Sequence, residues 1–212
     1  KIGLPMALGM YELAPLWYAL FSALGYEVVF SKQSDRHTYE RGQFTIPSDT
    51  ACYPAKIMHG HIEELIADGI DKIFYPCLTY NVDEESGDNH YNCPVVAYYS
   101  ELLNANIEDL KKVRFLYPYL NINNKKVLAK NLYDLKTVEP DIKLSEIKRA
   151  VKEGFAAYGA YMADIRREGE KALEYARKNG KRIMILAGRP YHIDPEIGHG
   201  IDKLANSLGF VV

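Results

Sequence analysis

Short apolar runs of strand character alternate with longer segments of helical period along most of this chain. Runs rich in β-branched or aromatic side chains predict strands over residues 1–4, 27–30, 71–75, 94–97 and 113–117. Between them, apolar residues at three- and four-residue spacing predict helices over 10–24, 53–67, 99–105 and 125–135, and residues 34–41 read as a short polar helix or turn. Gly25 and Gly69 stand where helices should stop, and Pro54 sits in a first turn, where its missing N–H leaves nothing unpaired. Ser34 or Asp35 can cap the short polar helix. This order predicts an α/β fold with a doubly wound, mainly parallel sheet. Such sheets bind their ligands in the crevice at the carboxyl ends of the strands.

Residues 144–178 break that rhythm. Ile147, Val151, Phe155, Tyr158, Met162, Ile165, Leu173 and Ala176 mark one face of a long amphipathic helix, with Ser145 able to cap it and Gly169 a point where it can break. Residues 181–187, 201–208 and 210–212 then read as strand, helix and strand. The expected layout is an α/β domain over 1–140, a long connecting helix over 141–180, and the beginning of a second α/β unit over 181–212. The chain starts at Lys1, already inside an apolar run, and stops as a strand opens at Gly209. It is therefore expected to be a truncated piece of a longer polypeptide.

With 48% hydrophobic and 25% charged residues in 212, the composition is that of a globular protein. The formal net charge of −2 offers no general field for nucleic acid or an anionic membrane surface, so neither is expected as a partner. Residues 13–26 carry no charge, but 14 residues containing Pro15 and Gly25 are short of the roughly 20 a spanning helix needs. A buried core helix is the expectation there. Three cysteines are too few, and odd in number, for a disulfide framework. A reducing, cytoplasmic setting is expected.

Cys52 precedes a predicted helix, Cys77 follows the third predicted strand, and Cys93 lies in a loop before Pro94. Their wide spacing is not that of a zinc ribbon or a bacterial ferredoxin. Three thiolates from three segments can hold three corners of a cubane [4Fe–4S] cluster and leave one iron open. The residues leave four readings standing: inert core thiols, a zinc site of three cysteines and a histidine, a cubane cluster, or redox-active thiols.

Four segments resemble a known family: Tyr53-Pro54-Ala55-Lys56 through His59-Gly60-His61, Phe74-Tyr75-Pro76-Cys77, Asp88-Asn89-His90-Tyr91-Asn92-Cys93-Pro94, and Ala187-Gly188-Arg189-Pro190-Tyr191-His192-Ile193-Asp194-Pro195. They look like the acyl-CoA dehydratase activase-related family. This is the region fused behind ATPase-type activases of 2-hydroxyacyl-CoA dehydratases in anaerobes. It is similar to the cluster-bearing dehydratase subunits and to double-cubane-cluster proteins. The resemblance covers nearly the whole chain. It implies that Cys52, Cys77 and Cys93 bind the iron of a [4Fe–4S] cluster. It implies low-potential electron transfer, or activation of an acyl-CoA thioester in which an open iron acts as Lewis acid and the cluster's electron gives a ketyl-type radical. It also implies a parent polypeptide with an ATPase activase domain, acyl-CoA as a substrate, and homo-oligomers as a possible assembly. Nothing in the chain matches an ATPase phosphate-binding motif, so no ATPase activity is expected of it alone. The competing expectation is a non-catalytic docking or regulatory α/β domain of the activase, with structural cysteines.

Tyr80, Asn89, His90 and Asn92 flank the second and third cysteines and are candidates to stand near a cluster. His90 can donate to sulfur, serve as a fourth ligand, or bond within its own loop. Gly188, Arg189 and His192 form a loop after a strand, where an anion can be held or where Arg189 is merely structural. His59 and His61 lie about 200° apart on a helix and cannot share a metal. They are expected to be solvated or to touch a partner. Tyrosine outnumbers phenylalanine 17 to 7, which suits a polar-lined cleft or an interface.

Overall fold

In the computed structural model, which describes residues 1–212, four apolar runs become parallel strands. They are β1 (Ile2–Leu4), β2 (Val28–Phe30), β3 (Lys72–Phe74) and β4 (Arg114–Leu116), in the order β2-β1-β3-β4. Gly3 stands opposite both Val29 and Ile73, and Ile73 opposite Phe115. Six helices accompany them: α1 (Gly9–Ala23), α2 (Arg36–Gly42), α3 (Tyr53–Ala67), α4 (Pro94–Asn106), α5 (Lys125–Asp134) and α6 (Leu144–Lys178). The chain runs outward from β1 in one direction and from β3 in the other. Right-handed crossovers then put α1 and α4 on opposite faces of the sheet. Helix α6 packs with both α1 and α5, while α2 and α4 pack with α3. The chain is α/β and doubly wound, as its periodicity predicts.

The core forms where α1 meets β3. Met10, Leu13, Leu16, Trp17, Leu20 and Phe21 are all buried at helical spacing. Phe74 takes Trp17 and Phe21 edge-on, at 4.9 and 4.8 Å between ring centroids. Helix α6 lays Ile147, Ala150, Val151, Gly154 and Tyr158 against this layer and leaves its middle in solvent. Its far end buries Ala176 beside a second, two-stranded parallel sheet of β5 (Arg182–Ile183) and β6 (Phe210–Val211). Two short helices, α7 (Pro195–Gly198) and α8 (Ile201–Ser207), connect these strands.

Several expectations need correction. Residues 94–97 are the first turn of α4, not a strand, so the main sheet has four strands rather than five. Pro94 at the first helical position starts a helix there, and a short Val-Val run has no period of its own to distinguish strand from helix. Helix α6 runs unbroken through Gly169, and its first turn is closed by Lys143 N–H donating to the Glu146 carboxylate, not by Ser145. Only Arg182–Ile183 of the 181–187 run pairs as strand. No helix is long and apolar enough to cross a membrane.

Candidate functional site at the strand ends

The order β2-β1-β3-β4 reverses direction between β1 and β3, so the loops after these two strands diverge and open a crevice. On the β1 side the turn into α1 is strained. Leu8, fully buried, adopts φ 49° and ψ −139°, a region that costs a side chain-bearing residue about 1–3 kcal/mol. On the β3 side the chain stays extended past the strand. Tyr75 N–H donates to Leu116 O, Cys77 N–H donates to Pro118 O, and Cys77 O accepts from Leu120 N–H. Tyr75 and Cys77 are two residues apart in extended chain and so share a face.

Cys52 and Cys93 occupy equivalent positions. Each is the extended residue capping a helix, α3 and α4 respectively, and each is followed by a proline in the first turn. Both are exposed. The Cys93 sulfur accepts from Val96 N–H at 3.4 Å. Free N–H groups of a helix's first turn favour negative charge placed there. Cys77 differs: it is buried, and its Sγ lies 3.0 Å from Ser100 Oγ. Burial pushes its thiol pKa up, and the Ser100 bond partly opposes this.

One hydroxyl relates all three. Tyr75 is 2% exposed and its OH has no hydrogen-bond partner. Its pKa is driven up first by burial, and then by the charges of Cys77, Cys93 and Cys52 together with Tyr99. Tyr191 is likewise raised by burial and then by Cys93 and Cys52. Cys77 follows the end of β3, Cys52 and Cys93 stand at the starts of α3 and α4, and Cys93 borders the same small cavity as Tyr75. As the side chains stand, no three His, Cys, Asp or Glu groups are close enough together to hold a metal ion.

A cavity of about 30 Å³ lies beside Tyr75, bounded by Gly9 and Met10 of α1, Asn92, Cys93 and Arg189. The loop after β5 therefore reaches the cysteine crevice. A 3-10 turn at Pro190–Ile193 carries it onto α1, and Tyr53, next to Cys52, donates a 2.6 Å hydrogen bond to Glu196 Oε1. Within that loop the His192 Nδ1 accepts Arg189 N–H at 3.2 Å. A Cβ on Gly188 would lie 2.6 Å from the same nitrogen, so a larger residue there would displace the His192 ring. Gly188, Arg189 and His192 also line a wider groove with Tyr53 and Pro54.

The remaining candidates form the loop above the crevice. Asn92 anchors it, donating from Nδ2 to Leu78 O at 2.9 Å. His90 turns toward Asp83, with 3.8 Å between Nδ1 and Oδ2. Tyr80 bridges antiparallel to Tyr91, and their hydroxyls meet at 2.9 Å. Asn89, His90 and Asn92 share a polar groove with Arg189.

The histidines of α3 are not solvated. His59 and His61 are both fully buried. His59 bonds Thr45 Oγ1 at 2.8 Å and Tyr99 OH at 3.0 Å; His61 bonds Ser31 Oγ at 2.8 Å and Ser34 Oγ at 2.9 Å. Burial lowers both pKa values to about 4. Sequence reasoning also passed over Tyr75, Ser100 and Tyr191. For Tyr75 the available signal was its position two residues before Cys77 at a strand end.

The sequence matches the family described as CoA enzyme activase uncharacterised domain (DUF2229) over residues 1–212. The chain belongs to this family. It is the activase-related family toward which the four motif segments point. No curated protein and no solved structure matches the chain. In this activase-family domain, three of the four segments carry the residues described above at the carboxyl end of the sheet, and the fourth supplies Arg189 and Tyr191.

Proposed function

We propose that this domain holds a [4Fe–4S] cluster on Cys52, Cys77 and Cys93 and serves a CoA-enzyme activase system in low-potential electron transfer or in activation of an acyl-CoA thioester. The observation that supports the reading is the position of the three cysteines in the fold: Cys52 and Cys93 at the starts of α3 and α4, and Cys77 just past the end of β3, beside the switch point of the sheet. The donor set fits such a group: thiolates are soft ligands suited to iron–sulfur or zinc. Two of them sit on helix caps, where rotation about a single bond redirects the sulfur. When bound, a cluster with one iron free of cysteine supplies an electron and a Lewis-acidic metal. The chain's own part is positional. Helices α3 and α4 present two thiols with their positive ends, β3 presents the third, and Arg189 and Tyr191 close the crevice from the C-terminal side.

Anaerobic reconstitution with iron and sulfide tests this. A brown protein with broad absorption at about 400 nm is expected. Cys52→Ser, Cys77→Ser and Cys93→Ser should each lose that colour and most of the bound iron. The second reading, a docking or regulatory domain of the activase, draws on the bond of Cys77 to Ser100 and on the separation of the thiols as they stand. A colourless, iron-free product supports it, and zinc at about one per chain supports a structural zinc site instead.

A further inference from the structure

We infer that the small cavity at the switch point of the sheet is a binding site for a singly charged carboxylate. The inference does not rest on the cluster reading. The cavity lies where two helices begin. Gly9 and Met10 of α1 line it, as do Cys93 and Val96 at the start of α4, and a Cβ on Gly9 would stand 3.4 Å from Val96 Cγ1. The two helix starts thus meet at this point. With 15 and 13 residues, both helices carry the partial positive charge of their first turns. No side chain caps α1, and α4 is capped only by the 3.4 Å bond from Val96 N–H to the Cys93 sulfur. Met10 and Tyr11 N–H turn back to Ala7 O and Leu8 O, which leaves Gly9 N–H without a partner. Free N–H groups at a helix start favour a bound anion.

A second, independent observation points to a ligand. Tyr75 borders the same cavity, is 2% exposed, and its hydroxyl has no hydrogen-bond partner. A buried donor without a partner is rare, because its desolvation goes uncompensated. Arg189, an exposed residue, adds a guanidinium at the rim. Size and charge then define the ligand. The cavity holds about 30 Å³, against the roughly 10–15 Å³ that one water needs, so it takes the two oxygens of a carboxylate. Glu12 is also on the wall, its Oε2 accepting from Asn81 Nδ2 at 2.9 Å. Its charge offsets that of Arg189 and disfavours a doubly charged anion such as phosphate. Arg189 also lines both neighbouring grooves, which give room for the rest of a longer ligand.

The test titrates the metal-free chain with sodium formate at constant ionic strength and follows the amide resonances of Gly9, Met10 and Val96, with chloride and phosphate as controls. Saturable shifts at these amides are expected with formate and not with either control. Arg189→Gln and Tyr75→Phe should each weaken binding by at least about tenfold, the scale of one hydrogen bond to a charged group. Should Tyr75→Phe not fold, Arg189→Gln, a change at an exposed position, decides alone. Hexanoate separates two sources of the carboxylate, and either supports the site: tighter binding than formate marks the end of a longer ligand, weaker binding a small free acid. Shifts that do not saturate, chloride or phosphate acting as formate does, or unchanged affinity in the variants overturns the inference. With no iron present, such a failure leaves the cluster reading standing, and a colourless reconstitution leaves the carboxylate site standing.

Discussion

His59 and His61 show how one residue type takes its meaning from its surroundings. Spacing two apart on α3 turns them to different neighbours, His59 to Thr45 and Tyr99, His61 to Ser31 and Ser34. Their spacing sets the angle between them but not their burial, which depends on α2 lying against α3. That approach is very close: a Cβ on Gly60 would stand 1.7 Å from Thr38 O, so only glycine fits between the two histidines. Burial is the main cause of their low pKa, with Arg41 pushing His61 further down and Asp35 opposing it. In the unfolded chain each titrates near 6.5, and in the folded chain at about 4. Between those values the unfolded chain binds protons that the folded chain refuses. The stabilisation is therefore complete above pH 6.5 and is lost as pH falls toward 4, by about 3 kcal/mol per histidine. Urea titrations at pH 7, 6 and 5 should show stability falling with pH. His61→Gln should reduce the slope by about one proton. The same slope in the variant would assign those protons to other groups.

At the level of elements, helix starts determine how the candidate thiols are presented. Cys93 caps α4 and accepts a long 3.4 Å bond from Val96 N–H. Serine is a better cap than cysteine, since its oxygen accepts a shorter and stronger bond. Metal-free Cys93→Ser is therefore expected to melt at or above the unaltered chain, with a gain of up to about 1 kcal/mol. Reconstituted, it should lose iron. A clear fall in metal-free stability would show that the sulfur itself holds α4 in place. The capping position of Cys52 was legible from Pro54 and the apolar stripe that follows. That of Cys93 was not, because Pro94-Val95-Val96-Ala97 is too short to reveal a period. What makes it helical is the burial of Ala97, Tyr99, Ser100 and Leu103 against the rest of the fold.

Across the whole molecule, the four-stranded sheet and the two-stranded one differ in cover. The first has helices on both faces and a continuous apolar core. Beside the second, Ile185 is 85% exposed and Leu204 and Leu208 are more than half exposed. A two-stranded parallel sheet with little burial opens more readily than a covered core. Hydrogen exchange should therefore be faster at Arg182–Ile183 and Phe210–Val211 than at β1 and β3, by at least about a hundredfold. Exchange as slow as that of β3 would show that both sheets open as one unit. Helix α6 joins them, and its whole length was legible, since a 35-residue amphipathic stripe repeats its signal many times. Apart from residues 94–97, where a short apolar run hid the start of α4, the identity and order of the main strands and helices and the parallel sheet were written in the chain, because periodicity and caps are local properties, repeated within a few residues. The company each side chain keeps was not: the silent hydroxyl of Tyr75, the burial of two histidines and the gathering of Cys52, Cys77, Cys93 and Tyr191 at one end of the sheet all join segments far apart in the chain. Those distances are fixed by how helices pack on the sheet, and no spacing along the chain encodes them.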